Sequence, residues 1–239
     1  MVQALTSVEE ASTSLLDRTE TLTAVCQLVA GLYRYVLDED AVNRLSAVQM
    51  SGDDDFVLAQ ADCIGGLSLM QEYCKGSELS AKLLVASNDF HDLFVGPHKL
   101  LAAPWSSVYM DKGGMIFGPT ALQVKALFSE QGYVIPEGKS EPSDHIAYEW
   151  QFIADLQKKI VQACAAADSS KTNQSIEVLN RFMTSYFNPW IKEFLNKVKD
   201  NAKTDFYRGL STFSLGLWSL EQDLLKDLEN LGFTSQEES

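Results

Sequence analysis

The sequence predicts an all-α protein. Apolar residues recur at steps of three and four along most of the 239 residues, which places them on one face of successive helices. Alternation of apolar and polar residues, which is typical of strands, is confined to 108–110 and 115–117, two segments that could pair as a small hairpin around a DKGG turn. Hydrophobic residues make up 46% of the chain, which suffices for a folded core. The expected architecture is a multi-helix bundle.

In the first half of the chain, the clearest helical stripe lies within residues 22–36. Its members are Leu22, Val25, Cys26, Val29, Leu32, Tyr33 and Val36. Residues 55–74 and 78–94 predict two further helices, which separate near Gly76 because glycine readily ends a helix. The second of these helices is expected to stop at the glycine–proline pair 96–97.

The second half contains five predicted helices. They cover 120–128, ended by Gly132; 146–164; 176–186; a helix that begins at Asn188; and 206–228, ended by Gly232. Thr120 and Asn188 are the expected N-caps, because their side-chain oxygens can accept a hydrogen bond from an N–H of the first turn. Pro189 supports the second of these starts, since proline is favoured at the first helical position.

Residues 131–144, QGYVIPEGKSEPSD, contain two prolines and two glycines and mark a break in the helical pattern. We expect a single domain with an N-terminal lobe of about residues 1–131, a Pro/Gly-containing hinge over 132–144 and a C-terminal lobe over 145–239. A mobile hinge would let the C-terminal helices of one chain pack on the N-terminal lobe of another. We therefore expect a monomer at low concentration and a domain-swapped dimer fraction at high concentration.

Composition excludes several classes of protein. No run of about eighteen apolar residues exists, and the N-terminal segment lacks the basic and apolar regions of a secretory leader, so a cytoplasmic protein without an integral membrane segment is expected. A net charge of −14 disfavours nucleic acid as a partner, because nucleic acid is itself a polyanion. The four cysteines lack C-x-x-C spacing and only three histidines are present, so a structural metal is not expected. The sequence also carries no Walker loop and no G-x-G-x-x-G motif, and no cofactor is expected.

The most unusual segment is 90–109, FHDLFVGPHKLLAAPWSSVY. Beyond the predicted helix stop it stays apolar as far as Trp105, whereas loops between helices are normally polar. Such a loop is either buried or forms part of a binding surface. Trp105 suits both interpretations, because tryptophan is common in protein cores and at interface hot spots.

Several short motifs follow one another along the chain: LFVGP at 93–97, PWSSVY at 104–109, FG-x-T at 117–120, EPSDHI at 141–146, FNPW at 187–190 and FYRGL at 206–210. In this order they resemble the TorD/DmsD family of cytoplasmic chaperones, which mature molybdenum-cofactor enzymes exported by the twin-arginine route. The resemblance implies an all-helical fold and a chaperone rather than an enzyme. Its partners would be the twin-arginine signal peptide and the apo form of a molybdopterin oxidoreductase, bound before cofactor loading and export.

The resemblance also implies a signal-peptide groove. Its expected residues are Phe90, Phe94, His98, Pro104, Trp105, Glu141, Pro142, Asp144 and His145. Of these, Phe94, Pro104 and Trp105 would form an apolar floor for the hydrophobic region of the peptide.

The rim of this groove would be formed by Glu141, Asp144 and His145, which could attract the arginines of the peptide through charge-assisted hydrogen bonds. Two positions depart from the family pattern. His98 stands where relatives have an aromatic residue, and Ser143 stands where they usually have a second acidic residue.

Two alternatives remain open from the residues alone. Asp144 and His145 could be the acid–base couple of a small helical hydrolase or nucleotide-dependent factor, although the sequence carries no nucleophile elbow, phosphate loop or H-E-x-x-H motif to complete such a site. Asp144 also stands where a helix starts, and aspartate is a preferred N-cap. Alternatively, the protein is a structural subunit without a groove, in which the apolar loop is wholly buried.

Overall fold

The computed structural model describes residues 2–48, 56–76, 78–97, 99–135 and 141–237, with side chains between residues 13 and 230. The helices are α1 (Val2–Arg34), α2 (Glu39–Ala47), α3 (Phe56–Ala59), α4 (Ala61–Cys74), α5 (Leu79–Phe90), α6 (Ser106–Met110), α7 (Pro119–Glu130), α8 (Ile146–Ala165), α9 (Ser169–Phe182), α10 (Asn188–Asn201) and α11 (Asp205–Glu237). Two π-helical turns, His91–Val95 and Met183–Phe187, extend α5 and join α9 to α10. The described residues contain no strand, so the all-α prediction is confirmed. The predicted hairpin is wrong, because its first half is helix α6.

Glycines end helices at most of the predicted places. Gly96 follows the first π-helical turn with a φ of 97° and donates its N–H to the carbonyl oxygen of His91 at 2.9 Å. Gly76 and Gly132 follow α4 and α7 with φ values of 100° and 68°, a region that suits glycine. Gly232 differs, because α11 continues through it. The end predicted there is wrong, since one glycine costs a helix only about 1 kcal/mol.

Neither of the two expected cap residues caps its helix. Thr120 lies within α7 and gives its N–H and its hydroxyl to the carboxylate of Asp111, at 3.1 and 2.6 Å. Asn188 begins α10 as predicted, but its side-chain oxygen accepts from Trp218 Nε1 and Gln222 Nε2, at 2.9 and 3.0 Å. In both cases the side chain that the local pattern assigned to a cap instead forms hydrogen bonds with residues from another part of the chain.

Helices from both sides of the predicted hinge contribute to one hydrophobic core, in which α1 packs along α8 and α4 along α11. The contact between α4 and α11 is very close. A Cβ added to Gly66 would lie 2.5 Å from the carbonyl oxygen of Gly209, and one added to Gly209 would lie 2.7 Å from that of Gly66. Backbone packing at this distance requires glycine on both helices. The division into lobes stays a prediction, and residues 136–140 of the hinge lie outside the described residues.

A buried polar network joins three helices within this core. Glu221 of α11 is 2% exposed; its carboxyl accepts from Nε2 of Gln157 on α8 at 2.7 Å and from the thiol of Cys26 on α1 at 3.1 Å. The side-chain oxygen of Gln157 in turn accepts from the hydroxyl of Thr23 at 3.3 Å. Burial raises the pKa of Glu221 to about 7 from an ordinary value of 4.5.

We expect the wild-type protein to lose stability between pH 4.5 and 7, and Glu221→Gln to abolish this loss. The folded carboxyl holds its proton to a higher pH than the unfolded one. Its contribution is therefore complete below pH 4.5 and declines as the pH rises to 7, by about 3 kcal/mol in the free energy of unfolding. Urea unfolding at pH 4.5 and at pH 8 measures this decline. Glu177→Gln, at an exposed glutamate of α9, should keep it, and a decline unchanged in Glu221→Gln would contradict the assignment.

Candidate functional site

Two segments of the predicted site meet by backbone pairing. Trp105 and His145 form an isolated antiparallel bridge. Hydrogen bonds of 3.0 and 2.8 Å on either side of it join residues 104–106 to residues 144–146. The apolar loop after Gly96 therefore returns to the end of the predicted hinge, and the N-terminus of α6 lies beside that of α8.

Asp144 is fully buried and caps a helix distant in sequence. One of its carboxylate oxygens accepts from the N–H of Ser107 at 2.7 Å and from the hydroxyl of Ser106 at 3.4 Å, both in the first turn of α6. The N-cap of α8 is instead His145, whose Nδ1 accepts from the N–H of Ala147 at 3.1 Å. The expectation that Asp144 caps the helix that follows it is wrong. Both members of the suggested acid–base couple thus have structural roles.

Glu149, in the first turn of α8, is a second buried acid beside Asp144. Its carboxyl accepts from Nε1 of Trp190 at 3.0 Å. Burial raises the pKa of Glu149 well above its ordinary value, and the charge of Asp144 raises it further, which favours the protonated form. The sequence prediction missed Glu149, although its spacing indicated burial. It follows Ile146 by three residues and precedes Ile153 by four, on the apolar face of α8.

Aromatic and imidazole rings continue from the bridge across α8 towards the end of α1. The ring of Trp105 lies 6.0 Å from that of His145, and the ring of His145 lies 5.6 Å from that of Tyr148. The guanidinium of Arg34 then lies over two tyrosine rings, 5.0 Å from the centroid of Tyr148 and 5.3 Å from that of Tyr35. We call Trp105, His145, Tyr148 and Tyr35 the aromatic row.

The exposed carboxylate of Glu141 reaches this row. The hydroxyl of Tyr148 donates to Glu141 at 3.2 Å, and Glu141 itself is exposed. Burial raises the pKa of Tyr148, the charge of Glu141 raises it further, and the charge of Arg34 lowers it. A tyrosine face, a negative charge and a positive charge therefore lie together at one place on the surface, where a cationic or aromatic group of a partner can bind.

The predicted site residues fall into three groups. Trp105, Glu141 and His145 belong to the aromatic row or contact it; Trp105 is half-buried and Glu141 is exposed, whereas His145 is only 6% exposed and contributes to the row from below the surface. Phe90 and Phe94 lie in the core with 6% and 3% of their surface exposed, so they take no part in this surface. Their neighbours are the rings of Tyr33, Phe194 and Tyr207. Pro104, Pro142 and Asp144 are buried beside the bridge, and His98 lies outside the described residues.

Beyond Tyr35 lies an open cleft of about 380 Å³ between α1 and α2, with Leu28, Leu32 and Phe206 among its lining. Gly31 also lines it, and a Cβ at that position would meet nothing within 4 Å. Over the described ranges no three His, Cys, Asp or Glu side chains are grouped so that they could hold a metal ion. Within the same ranges, no helix combines the length and the apolar character that crossing a bilayer requires.

The part-exposed ring of Trp105, the exposed ring of Tyr35 and the exposed carboxylate of Glu141 give this region a surface of the kind that binding proteins use. Comparison with known families agrees with this class. The family described as nitrate reductase delta subunit matches residues 61–196, more than half of the chain. The chain belongs to this family, whose curated members include the TorD and DmsD chaperones.

Individual relatives share about a quarter of their residues with this chain over the matched segments. A chaperone protein TorD of Vibrio atlanticus is 27% identical over 142 residues, which are 59% of this chain and 65% of the relative. A probable Tat proofreading chaperone DmsD of Haemophilus influenzae is 25% identical over 54% of this chain and 56% of its own length. The match thus spans less than two thirds of each of these relatives. Their names are those of chaperones, in agreement with the prediction of a binding protein rather than an enzyme.

Among solved structures, a putative redox enzyme maturation protein from Archaeoglobus fulgidus is 19% identical, with a TM-score of 0.47 over 82% of this chain and 92% of that chain.

Proposed function

We propose that the protein is a cytoplasmic maturation chaperone, which binds the twin-arginine signal peptide and the apo form of a molybdopterin oxidoreductase before cofactor loading and export. Membership of the family supports the chaperone role. The observation that carries the recognition step is that the aromatic row reaches the surface at Trp105 and at Tyr35, with the exposed Glu141 bonded to Tyr148 between them. Ring faces and a carboxylate are the groups that bind guanidinium and apolar side chains.

The geometry modifies the acidic rim that the sequence predicts. Asp144 is buried, and its carboxylate accepts a hydrogen bond at the start of α6. Of the two predicted acidic rim residues, Glu141 is therefore the one whose carboxylate is exposed. Trp105 supplies the part-exposed apolar surface, because Phe94 and Pro104 are both buried. The net charge of −14 adds a long-range attraction for a basic leader.

Capture of clients from the native cytoplasm, followed by their identification, tests this function. We expect the captured protein to be a molybdoenzyme that retains its leader. The binding of its leader peptide to the protein is then measured by titration. Binding should weaken as salt rises and when neutral residues replace the arginine pair, because part of the attraction is charge on exposed groups. Binding that is independent of both salt and the arginines would contradict the proposal.

Trp105→Ala should lower the affinity for the leader by about 2 kcal/mol, as at interface hot spots. Glu141→Gln should lower it as well, whereas Glu177→Gln makes the same change in net charge far from the row along the chain and should leave it near the wild-type value. If Trp105→Ala unfolds the protein without changing the affinity of the folded fraction, Trp105 belongs to the core alone.

A further inference from the structure

Arg34, the last residue of α1, is held in an unusual way for an arginine. Its guanidinium lies over the rings of Tyr35 and Tyr148. Its Nε is buried and donates to no acceptor among the described residues, and none of the ion pairs in that part of the chain involves it. The chain has 33 acidic and 19 basic residues, so an arginine without a carboxylate partner among the described residues is unexpected. Within that part of the chain, the contacts of its guanidinium are the two aromatic faces.

The surroundings of Arg34 would bind the guanidinium group of a ligand as well as that of Arg34 itself. Tyrosine faces attract a planar cation, and Glu141 places a carboxylate at the hydroxyl of Tyr148. Tyr148 is only 1% exposed although it lies beside the exposed Glu141, and the guanidinium of Arg34 covers its ring. Removal of the Arg34 side chain would therefore open an aromatic face beside a negative charge.

We propose that Tyr35, Tyr148 and Glu141 form a guanidinium site, that Arg34 fills this site in the unliganded protein, and that an arginine of the client's leader takes it by displacing Arg34. The displacement step rests on the proposed function, whereas the site itself does not. The exchange is possible because, among the described residues, Arg34 makes no ion pair that it would lose on leaving. Its charge also stays favourable outside the site, since it stands at the C-terminal end of α1, where the helix dipole attracts a cation.

Displacement makes the site selective. A ligand with one arginine exchanges one guanidinium for another and gains little. A ligand with two adjacent arginines, or with an arginine next to an apolar segment, retains a second contact after the exchange. Competition from Arg34 therefore lowers the affinity for ligands with a single arginine. The second contact made by the rest of the peptide then distinguishes the leader from such ligands.

The site is tested first without any leader, with propylguanidinium as the probe. Arg34→Ala leaves the two tyrosines and Glu141 in place, so we expect propylguanidinium to raise its melting temperature more than that of wild type. Arg208→Ala is the matched control, because Arg208 is a part-exposed arginine of α11 in an ion pair with Asp205. Equal responses of the Arg34 and Arg208 variants would overturn the site, whether or not the protein binds leaders.

Displacement is tested with the leader of the captured client. Arg34→Met keeps an unbranched apolar stem and should bind the leader about 2- to 30-fold more tightly than wild type, the range expected when a competing cation is removed from aromatic faces. Arg208→Met makes the same change in net charge and measures the general electrostatic effect. If Arg34→Met binds the leader no better than Arg208→Met, or worse, the displacement is overturned. If no variant binds the leader while Arg34→Ala responds to propylguanidinium, the proposed function and the displacement fail but the guanidinium site stands.

Discussion

Replacement of Gly66 by alanine is expected to lower the free energy of unfolding by about 3 kcal/mol or more, or to prevent folding. The new methyl group would meet the carbonyl oxygen of Gly209 and the backbone of Phe213, neither of which can turn aside as a flexible side chain can. The two helices would have to separate, and the apolar side chains along their contact would lose packing. Urea unfolding followed by circular dichroism measures the loss.

The adjacent glycine provides the control. Gly65 is in the same helix, and a Cβ at that position would meet nothing within 4 Å. Gly65→Ala is therefore expected to stabilise the protein slightly, by up to about 1 kcal/mol, because alanine favours the helix. Similar stabilities of the two variants would mean that the close approach of α4 and α11 is not needed for the fold.

Replacement of Asp89 by alanine is expected to cost about 3 to 5 kcal/mol. Asp89, at the end of α5, is 1% exposed, and its carboxylate accepts from the N–H of Lys203 at 3.0 and 3.1 Å. It also accepts from the N–H and the hydroxyl of Thr204 at 2.8 and 2.7 Å, just before α11 begins. The alanine variant removes this acceptor and leaves the N–H and the hydroxyl of Thr204 in a buried position. Asp89→Asn keeps the shape and loses the charge, so an intermediate loss is expected.

Asp92 is the control for Asp89, because it contacts the same partner from the next turn. Its carboxylate lies 2.6 Å from Nζ of Lys203, with 45% of the side chain exposed. An exposed ion pair of this kind contributes at most about 1 kcal/mol, so Asp92→Ala should be mild. A mild Asp89→Ala variant, as stable as Asp92→Ala, would show that the loop before α11 is held by other contacts.

Local patterns predict the helices well and their partners poorly. The three-and-four spacing locates the helical segments, and the glycines at 76, 96 and 132 mark real ends because their positive φ values favour glycine. Asp144 illustrates the limit. Aspartate before a helix is a good cap candidate, but the N–H group that it binds belongs to Ser107, 37 residues earlier. No local pattern contains the loop path that brings the two together.

The candidate site shows the same limit. Phe90 and Phe94 are four residues apart, a spacing that fits a buried face as well as the floor of a groove, and burial alone separates the two cases. Arg34 and Tyr148 meet because α1 packs along α8. Neither residue, taken with its sequence neighbours, indicates that these two helices pack together. Glu149 could have been predicted, because its place among apolar residues of one helical face already indicated a buried acid.

The bridge between Trp105 and His145 has a consequence for any exchange of helices between chains. Its two residues stand on opposite sides of residues 132–144 in the sequence. In a dimer that swapped everything beyond those residues, each bridge would be rebuilt with Trp105 from one chain and His145 from the other. Each copy of the aromatic row would then contain residues from both chains. A hybrid of a chain lacking Trp105 with a chain lacking His145 would contain one doubly defective row and one intact row, so mixing the two variants would restore one intact row in each hybrid dimer.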